Sequence, residues 1–213
     1  MAERPIFVPT PESPELVREI LLPLQWHPGF AIVQKQKNVK ALHEAAAAAG
    51  IRNILEVSSR SETKRGQHLS AFHMIVRNER LGDMSLESAF QGSKVFERGG
   101  PFVDHYRSDA RTAKIDTRLK TSGGLIAFEF DGFRWPLEPK TAFYDWLYVR
   151  CVYPHRAWAV KLFEYGGFSD IEFNPSRSIN CQARSIALFL SLLKLNLLDE
   201  AIRSLGGRLK TGN

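Results

Sequence analysis

The sequence predicts an α+β fold, a single domain over residues 1–213 that is mainly helical, with short strands and one β-hairpin. Helical and strand-like apolar patterns alternate along the chain, which is typical of mixed folds. No internal repeat and no Gly-Ser or Pro-rich linker divides the 213 residues, and this length suits one hydrophobic core.

Composition narrows the class of protein. Hydrophobic residues make up 44% and charged residues 24% of the chain, as in globular proteins. No apolar run approaches the roughly 20 residues of a membrane helix, and the first residues lack the apolar core of a signal peptide. We therefore expect a cytoplasmic protein with no membrane partner. The net charge of +6 favours an anionic partner.

Several common catalytic motifs are absent from the sequence. Cys151 and Cys181 lack the spacing of a zinc site or a disulfide framework, so we expect reduced thiols and no metal. There is no G-x-G-x-x-G, P-loop, G-x-S-x-G or H-E-x-x-H. A dinucleotide dehydrogenase, an NTPase and a zinc peptidase are therefore not supported.

In the first half of the chain, local signals predict three helices and three strands. Ser13, Pro14 and Glu15 favour a short helix that ends at Pro23. Residues 30–33 are predicted as a strand, and Asn38 as the cap of a helix to Gly50. Further predictions are strands at 54–57 and 72–76 with a polar loop between them, and a helix over 86–96 capped by Ser85.

In the second half, residues 98–122 are predicted to form a surface excursion that contributes little to the core. Asp131 and Gly132 between two apolar runs predict a hairpin. Thr141 is expected to cap a helix, and a second helix is expected over 157–165. Residues 168–173 look extended, and an apolar stripe over 178–195 predicts a core helix.

Three sets of polar residues interrupt apolar segments, where a binding cleft would recruit them. Glu87, Gln91 and Lys94 recur at helical spacing, and Glu87 is either an acid/base or a surface carboxylate at a helix N-terminus. Asp170, Glu172 and Asn174 alternate in an extended segment, where they either hold a sugar or water or form a solvated strand edge. Lys35, near Lys37 and Lys40, is either an amine nucleophile, a phosphate clamp or part of a solvated basic loop. Tyr144 and Trp146, on either side of Asp145, have rings that could stack on a ligand or pack in the core.

Several segments together resemble the NADAR superfamily, and within it the branch of antitoxins associated with DarT-type DNA ADP-ribosyltransferase toxins. The matching segments are LSAFHM (69–74), LESAFQGSKVF (86–96), QKQKN (34–38), FYDWLY (143–148), FSDIEFNP (168–175) and SINCQARS (178–185). The chain departs from the broader family at Ala71, Ser88 and Val95, where Asn, His and Phe are usual.

The resemblance implies a NADAR-like fold and an antitoxin that hydrolyses the N-glycosidic bond between ADP-ribose and the guanine amino group of DNA. The guanosine would be single-stranded or flipped, ADP-ribose would be the product, no cofactor would be needed, and the cognate toxin is a further candidate partner. Glu87 would be the acid/base, Asp170 would hold ribose or water, and Lys35 could capture the anomeric carbon as an imine. The remaining candidates for substrate binding are Ser70, Phe72, Gln91, Lys94, Trp146, Glu172 and Asn174, with Phe72 and Trp146 as stacking rings.

Two other functions remain open at this point. The chain could be an N-glycosidase of a small nucleotide or riboflavin precursor, in which case DNA would bind weakly. It could also be a non-enzymatic antitoxin that binds its toxin, and neutralisation would then survive loss of Glu87, Asp170 and Lys35.

Overall fold

A computed structural model describes residues 2–204 and 209–210 and confirms the α+β class. The strands are Ala2–Thr10 (β1), Leu16–Leu24 (β2), Ile54–Glu56 (β3), Ile75–Val76 (β4), Met84–Ser85 (β5), Lys94–Phe96 (β6), Leu125–Phe130 (β7), Phe133–Trp135 (β8), Gly167–Ser169 (β9) and Leu209–Lys210 (β10). The α-helices are Ile32–Ala48 (α1), Lys64–His68 (α2), Leu86–Gly92 (α3), Ala110–Ile115 (α4), Arg118–Thr121 (α5), Ala142–Val152 (α6), Arg156–Ala159 (α7), Gln182–Lys194 (α8) and Leu198–Ser204 (α9). Short 3-10 helices cover Val103–Arg107, Tyr153–His155 and Val160–Glu164. Within the described residues, none of the helices has both the length and the apolar character that crossing a membrane requires.

Contacts divide the chain into two compact units. The first comprises Met1–Ser70 and Val152–Leu198, and the second comprises Ala71–Cys151 and Asp199–Asn213. Each unit has its own sheet and its own buried apolar residues.

The first unit is built on a four-stranded sheet in the order β2-β1-β9-β3. β1 and β2 form a long antiparallel hairpin, whereas β9 is antiparallel to β1 and parallel to β3. α8 packs on β1, β2 and β9, and α1 packs on β2. Apolar side chains fill the space between these elements, including Ile6, Leu22, Leu24, Val39, Leu42, Ala46 and Ile171.

The predicted helix after Ser13 is wrong, because residues 16–24 form strand β2. The backbone N–H of Ser13 bonds to the carbonyl of Thr10, so the Ser-Pro-Glu segment is the turn of a hairpin. Ile20, Leu22 and Leu24 alternate with more exposed residues, which is the period of a strand. β2 is an edge strand of the sheet. Proline, which has no backbone N–H to donate, is tolerated in such a strand, and this accounts for Pro23.

The predicted strand at 30–33 is also wrong, since α1 begins at Ile32. Asn38 lies inside this helix and is buried rather than capping it. The side chain of Asn38 instead bonds to the backbone N–H and carbonyl of His27, at 2.7 and 2.9 Å. The lysines therefore lie on a helix and not at a strand-to-helix junction.

The second unit contains a sheet in the order β10-β8-β7-β6. Its hairpin β7–β8 confirms the Asp-Gly prediction, because Asp131 and Gly132 have φ angles of 53° and 76°, as a type I′ turn requires. Rings of Phe128 and Phe143 stack at 4.7 Å between centroids, in an aromatic cluster that also contains Phe90, Phe130, Trp135 and Trp146.

The helix predicted over 86–96 ends earlier, at Gly92, and Lys94 lies in β6. Gly92 lets the ring of Tyr106 approach, since an added Cβ would lie 2.6 Å from the Cε1 atom of Tyr106. Ser85 caps the helix as expected, because its side chain accepts a bond from the N–H of Ser88 at 3.0 Å.

The remaining predictions are partly confirmed. The prediction that residues 98–122 contribute little to the core is wrong, because this segment contains α4 and α5 and its residues His105, Tyr106 and Ala113 are buried. Only residues 75–76 of the strand expected at 72–76 pair, and the polar loop before it contains α2.

The extended segment at 168–173 shortens to β9, because the chain turns where the N–H of Phe173 bonds to the carbonyl of Asp170. The core helix α8 is confirmed, although it begins at Gln182. The helix at 157–165 is split into α7 and a 3-10 helix.

Candidate active-site groups

A buried carboxylate and an amide form the centre of the candidate group in the second unit. Glu87 lies in the first turn of α3 and is only 7% exposed. The Nε2 atom of Gln91 donates to the Glu87 Oε1 atom at 3.0 Å, which confirms that the two residues share a helix face. The Nζ atom of Lys114 lies 4.0 Å from the same oxygen. Gln91 Oε1 is buried, and no hydrogen-bond partner for it lies among the residues that the structure describes.

Lys94 has a buried amine that interacts electrostatically with the Glu87 carboxylate. Its Nζ atom lies 4.7 Å from the centre of the Phe90 ring. Burial lowers the pKa of Lys94 to about 8; Lys114 lowers it too, and Glu87 opposes the shift. A larger neutral fraction than usual makes this amine a stronger nucleophile at neutral pH. Lys94 thus joins Glu87 from a strand and not from the predicted helix face.

The position of Lys114 beside Glu87 was not predicted from the sequence. It lies in α4, within the segment predicted to contribute little to the core, and its side chain remains about half exposed. Its Nζ atom is 5.0 Å from the ring centre of Phe72, a half-buried residue in the turn before β4. Phe72 therefore belongs to the Glu87 surroundings, although it is not in a strand.

Trp146 lies in the core of the second unit. Its side chain is 3% exposed, and its ring centroid is 4.8 Å from that of Trp135. The indole N–H donates to the carbonyl of Ile202 at 3.0 Å. These contacts assign the ring to packing, which was the alternative interpretation of the Tyr-Asp-Trp segment.

In the first unit, two cations meet one carboxylate. The Nζ atom of Lys35 and the Nε atom of Arg60 lie 3.5 and 3.4 Å from Glu172 Oε1. Lys35 Nζ also lies 5.8 Å from the centre of the Trp26 ring. The Lys35 side chain is 14% exposed, so its ammonium is stabilised by both an ion pair and an aromatic face.

Asp170 adjoins Glu172 but is buried. Its Oδ1 atom accepts the backbone N–H of Glu172 at 3.0 Å, and the thiol of Cys181 lies 4.0 Å from Oδ2. Burial, and secondarily the Asp170 charge, raises the pKa of Cys181, which keeps this thiol protonated. The predicted alternation of a polar side with an apolar side fails here, because the chain turns at this carboxylate.

A buried carboxylate that the sequence patterns did not indicate holds this turn. Glu56 accepts hydrogen bonds from Ser58 Oγ at 2.6 Å, Ser169 Oγ at 2.5 Å and the N–H of Ile171 at 2.9 Å. Burial raises the pKa of Glu56, and these three bonds oppose the shift. His43 Nε2 lies 2.9 Å from Ser169 Oγ. Glu56 thereby bonds to the residues on both sides of Asp170, to the hydroxyl of Ser169 and to the backbone N–H of Ile171.

Two further predicted residues have local structural contacts. Asn174 Oδ1 accepts from the N–H and the hydroxyl of Ser176, and it lines an open groove of about 460 Å³ with Arg4 and Trp26. Ser70 is 1% exposed, and its N–H bonds to the carbonyl of Gln67 just after α2.

The described structure thus groups Glu87, Gln91, Lys94 and Phe72 in one unit, and Lys35, Asp170 and Glu172 in the other. One comparison with known proteins identifies a family: a family model described as DarT1-associated NADAR antitoxin matches residues 2–211. The match extends over both units. No curated protein matches the chain.

Proposed function

The chain belongs to the family of DarT1-associated NADAR antitoxins, and we propose that it is an N-glycosidase that releases ADP-ribose from the guanine amino group of DNA. The observation that carries the proposal is the buried Glu87 carboxylate, oriented by Gln91 and accompanied by the amine of Lys94. Carboxylates and amines held in this way are typical of acid/base and nucleophilic catalysis.

Glu87 is the proposed acid/base. Hydrolysis breaks the bond between the anomeric carbon and the guanine nitrogen, water supplies a hydroxyl to the carbon, and its proton returns to the amine. A carboxyl group that gives a proton to the leaving amine and takes one from water completes this cycle. The hydrogen bond from Gln91 fixes one carboxylate oxygen, and we assign the proton transfers to the other.

An imine route uses an amine before water acts. Once the sugar ring opens, a neutral lysine attacks the anomeric carbon, the guanine amine leaves with a proton, and water then displaces the lysine. Lys35 remains a candidate, but its Nζ atom lies 3.5 Å from Glu172 Oε1, in an ion pair that suits a binding role. The desolvation of Lys94 favours the neutral amine, so we assign this role to Lys94 and a binding role to Lys35.

The groups of the first unit suit the polar parts of the substrate. Asp170 and Glu172 provide acceptors for ribose hydroxyls, while Lys35 and Arg60 provide cations for a diphosphate. Asn174 and Ser70 stay proposed as binding residues. These assignments rest on the chemistry of each side chain within its own unit.

Replacing Glu87 by Gln tests the function directly. The substrate is an oligonucleotide that carries ADP-ribose on a guanine amine, and the released ADP-ribose is measured by mass spectrometry. We expect Glu87→Gln to lower the rate about 100- to 10,000-fold, as loss of a general acid/base does. Glu79, an exposed acid of the same unit, provides the control, and Glu79→Gln should retain the wild-type rate.

Full activity in a folded Glu87→Gln protein would remove Glu87 from the mechanism. Release of sugar from a nucleotide or riboflavin precursor, but not from DNA, would move the activity to a small substrate. Neutralisation of the toxin without any release would instead support a binding antitoxin.

A further inference from the structure

The segment between β2 and α1 presents an aromatic side chain to solvent. Phe30 is 95% exposed, and Ile32 and Val33, which follow it in the first turn of α1, are 56% and 60% exposed. Burying such apolar side chains would stabilise the fold. Their exposure therefore indicates a surface that serves something other than the core.

The base of this loop is held by specific contacts. Asn38, which is fully buried, bonds to both backbone polar groups of His27. Gly29 has a φ angle of +125°, and a Cβ at this position would lie 3.2 Å from Gln34 Cγ. These contacts fix the backbone of the loop from His27 to Gly29, directly before Phe30. The exposed ring of Phe30 therefore extends from an ordered backbone.

Cations follow this exposed ring in the chain. Lys35, Lys37 and Lys40 follow it in α1, and the helix has no acid before Glu44. Arg4 lies 4.6 Å from the Trp26 ring at the start of the loop. The nearby acids Glu44 and Glu172 are each within 4.0 Å of a lysine of this set. A protruding apolar ring with lysines beside it matches a polyanion that also offers flat apolar faces, namely an unstacked nucleic acid strand.

We propose that Phe30, Ile32 and Val33 form a wedge that stacks on an unpaired base of the strand that carries the modified guanosine, while Lys37 and Lys40 contact phosphates of that strand. The wedge rests on the proposed function, since a guanosine that enters an enzyme site leaves a neighbouring base unstacked. It adds to that function a preference for strands over isolated nucleosides. A toxin surface would be recognised differently, and it is an outcome of the test.

The experiment measures binding without turnover. Fluorescence anisotropy gives the affinity for an unmodified single-stranded oligonucleotide, and 2-aminopurine within the oligonucleotide reports stacking. We expect Phe30→Ala to weaken binding about 5- to 100-fold, as loss of one stacking ring does, and to reduce 2-aminopurine quenching. Phe30→Trp should retain both signals. Val160, which is 53% exposed in the same unit, provides the control, and Val160→Ala should bind like wild type.

Wild-type affinity in Phe30→Ala, or an equal loss in Val160→Ala, would overturn the wedge. Loss of toxin binding in Phe30→Ala with unchanged oligonucleotide binding would overturn it in favour of a protein partner. Failure of the proposed function looks different: wild type would release no ADP-ribose, whatever its affinity for the strand. With an active enzyme, the ratio of rates on oligonucleotide and nucleoside substrates should fall in Phe30→Ala.

Discussion

His43 shows how burial sets the charge of one residue in the first unit. Its ring nitrogen lies 2.9 Å from Ser169 Oγ, beside the Glu56 network, and burial lowers its pKa to about 4. The unfolded chain takes up a proton near the ordinary value of 6.5, whereas the folded protein resists protonation until much lower pH. Stability from this group is therefore complete above pH 6.5 and is lost as the pH falls toward 4.

We predict that this residue makes wild type about 3 kcal/mol less stable at pH 4 than at pH 7. His43→Gln keeps a polar partner for Ser169 without a titrating ring, so its stability should fall less over the same range. Urea unfolding of both proteins at the two pH values measures the difference. Parallel pH profiles would contradict the assignment.

The two candidate lysines make distinct predictions for the imine route. Reduction with borohydride during turnover should attach the sugar to Lys94, because its lowered pKa makes the neutral amine available. Lys94→Arg should abolish the adduct, and Lys35→Arg should retain it while weakening substrate binding. Peptide mass spectrometry locates the modified residue. An adduct on Lys35 would return the nucleophile role to that residue, and no adduct would favour direct attack by water.

Part of this residue chemistry could be predicted from the sequence. Glu87 and Gln91 are four residues apart in a helix and therefore lie on the same face. Their hydrogen bond follows from this local spacing. Lys114 and Glu56 escaped prediction because their partners are distant in the chain. These distant contacts, and the burial of Glu56, arise only from packing.

At the scale of elements, the end of α3 depends on a close approach of backbone and ring. Alanine in place of glycine within a helix normally stabilises by roughly 0.5–1 kcal/mol. We predict that Gly92→Ala instead lowers the free energy of unfolding by about 1–3 kcal/mol, because the added Cβ would clash with the ring of Tyr106.

Gly124→Ala is the matched control for this substitution. The nearest atom to its Cβ is the flexible end of Glu97, at 3.2 Å, so its stability should remain within about 0.5 kcal/mol of wild type. Denaturant midpoints of the three proteins give the comparison. A stabilised Gly92→Ala protein would show that Tyr106 does not limit the helix.

Elements with strong local signals agree with their predictions. The Asp131-Gly132 hairpin and the apolar stripe of α8 depend on neighbours in the sequence. Strand β2 does not depend on its sequence neighbours alone. Ser13, Pro14 and Glu15 are compatible with either a turn or a helix start, and pairing with β1 decides between the two. The same holds for α1, whose exposed apolar start has the composition of a strand.

At the scale of the whole molecule, the residue patterns indicated an α+β protein of positive charge, and the family blocks indicated its function. The family match over residues 2–211 confirms membership of the DarT1-associated NADAR antitoxins. The one-domain interpretation stays a prediction, because contacts group the chain into two units. Periodicity could not reveal these units, since each is assembled from segments that are distant in sequence.

The central claim is that the wild-type protein breaks the bond between ADP-ribose and the guanine amine. The most direct measurement is the intact mass of both products after incubation with a guanine-ADP-ribosylated oligonucleotide. Our account predicts free ADP-ribose together with an oligonucleotide of the unmodified mass. A substrate that remains unchanged with folded protein, or an oligonucleotide that retains ribose or a phosphate fragment, would contradict it.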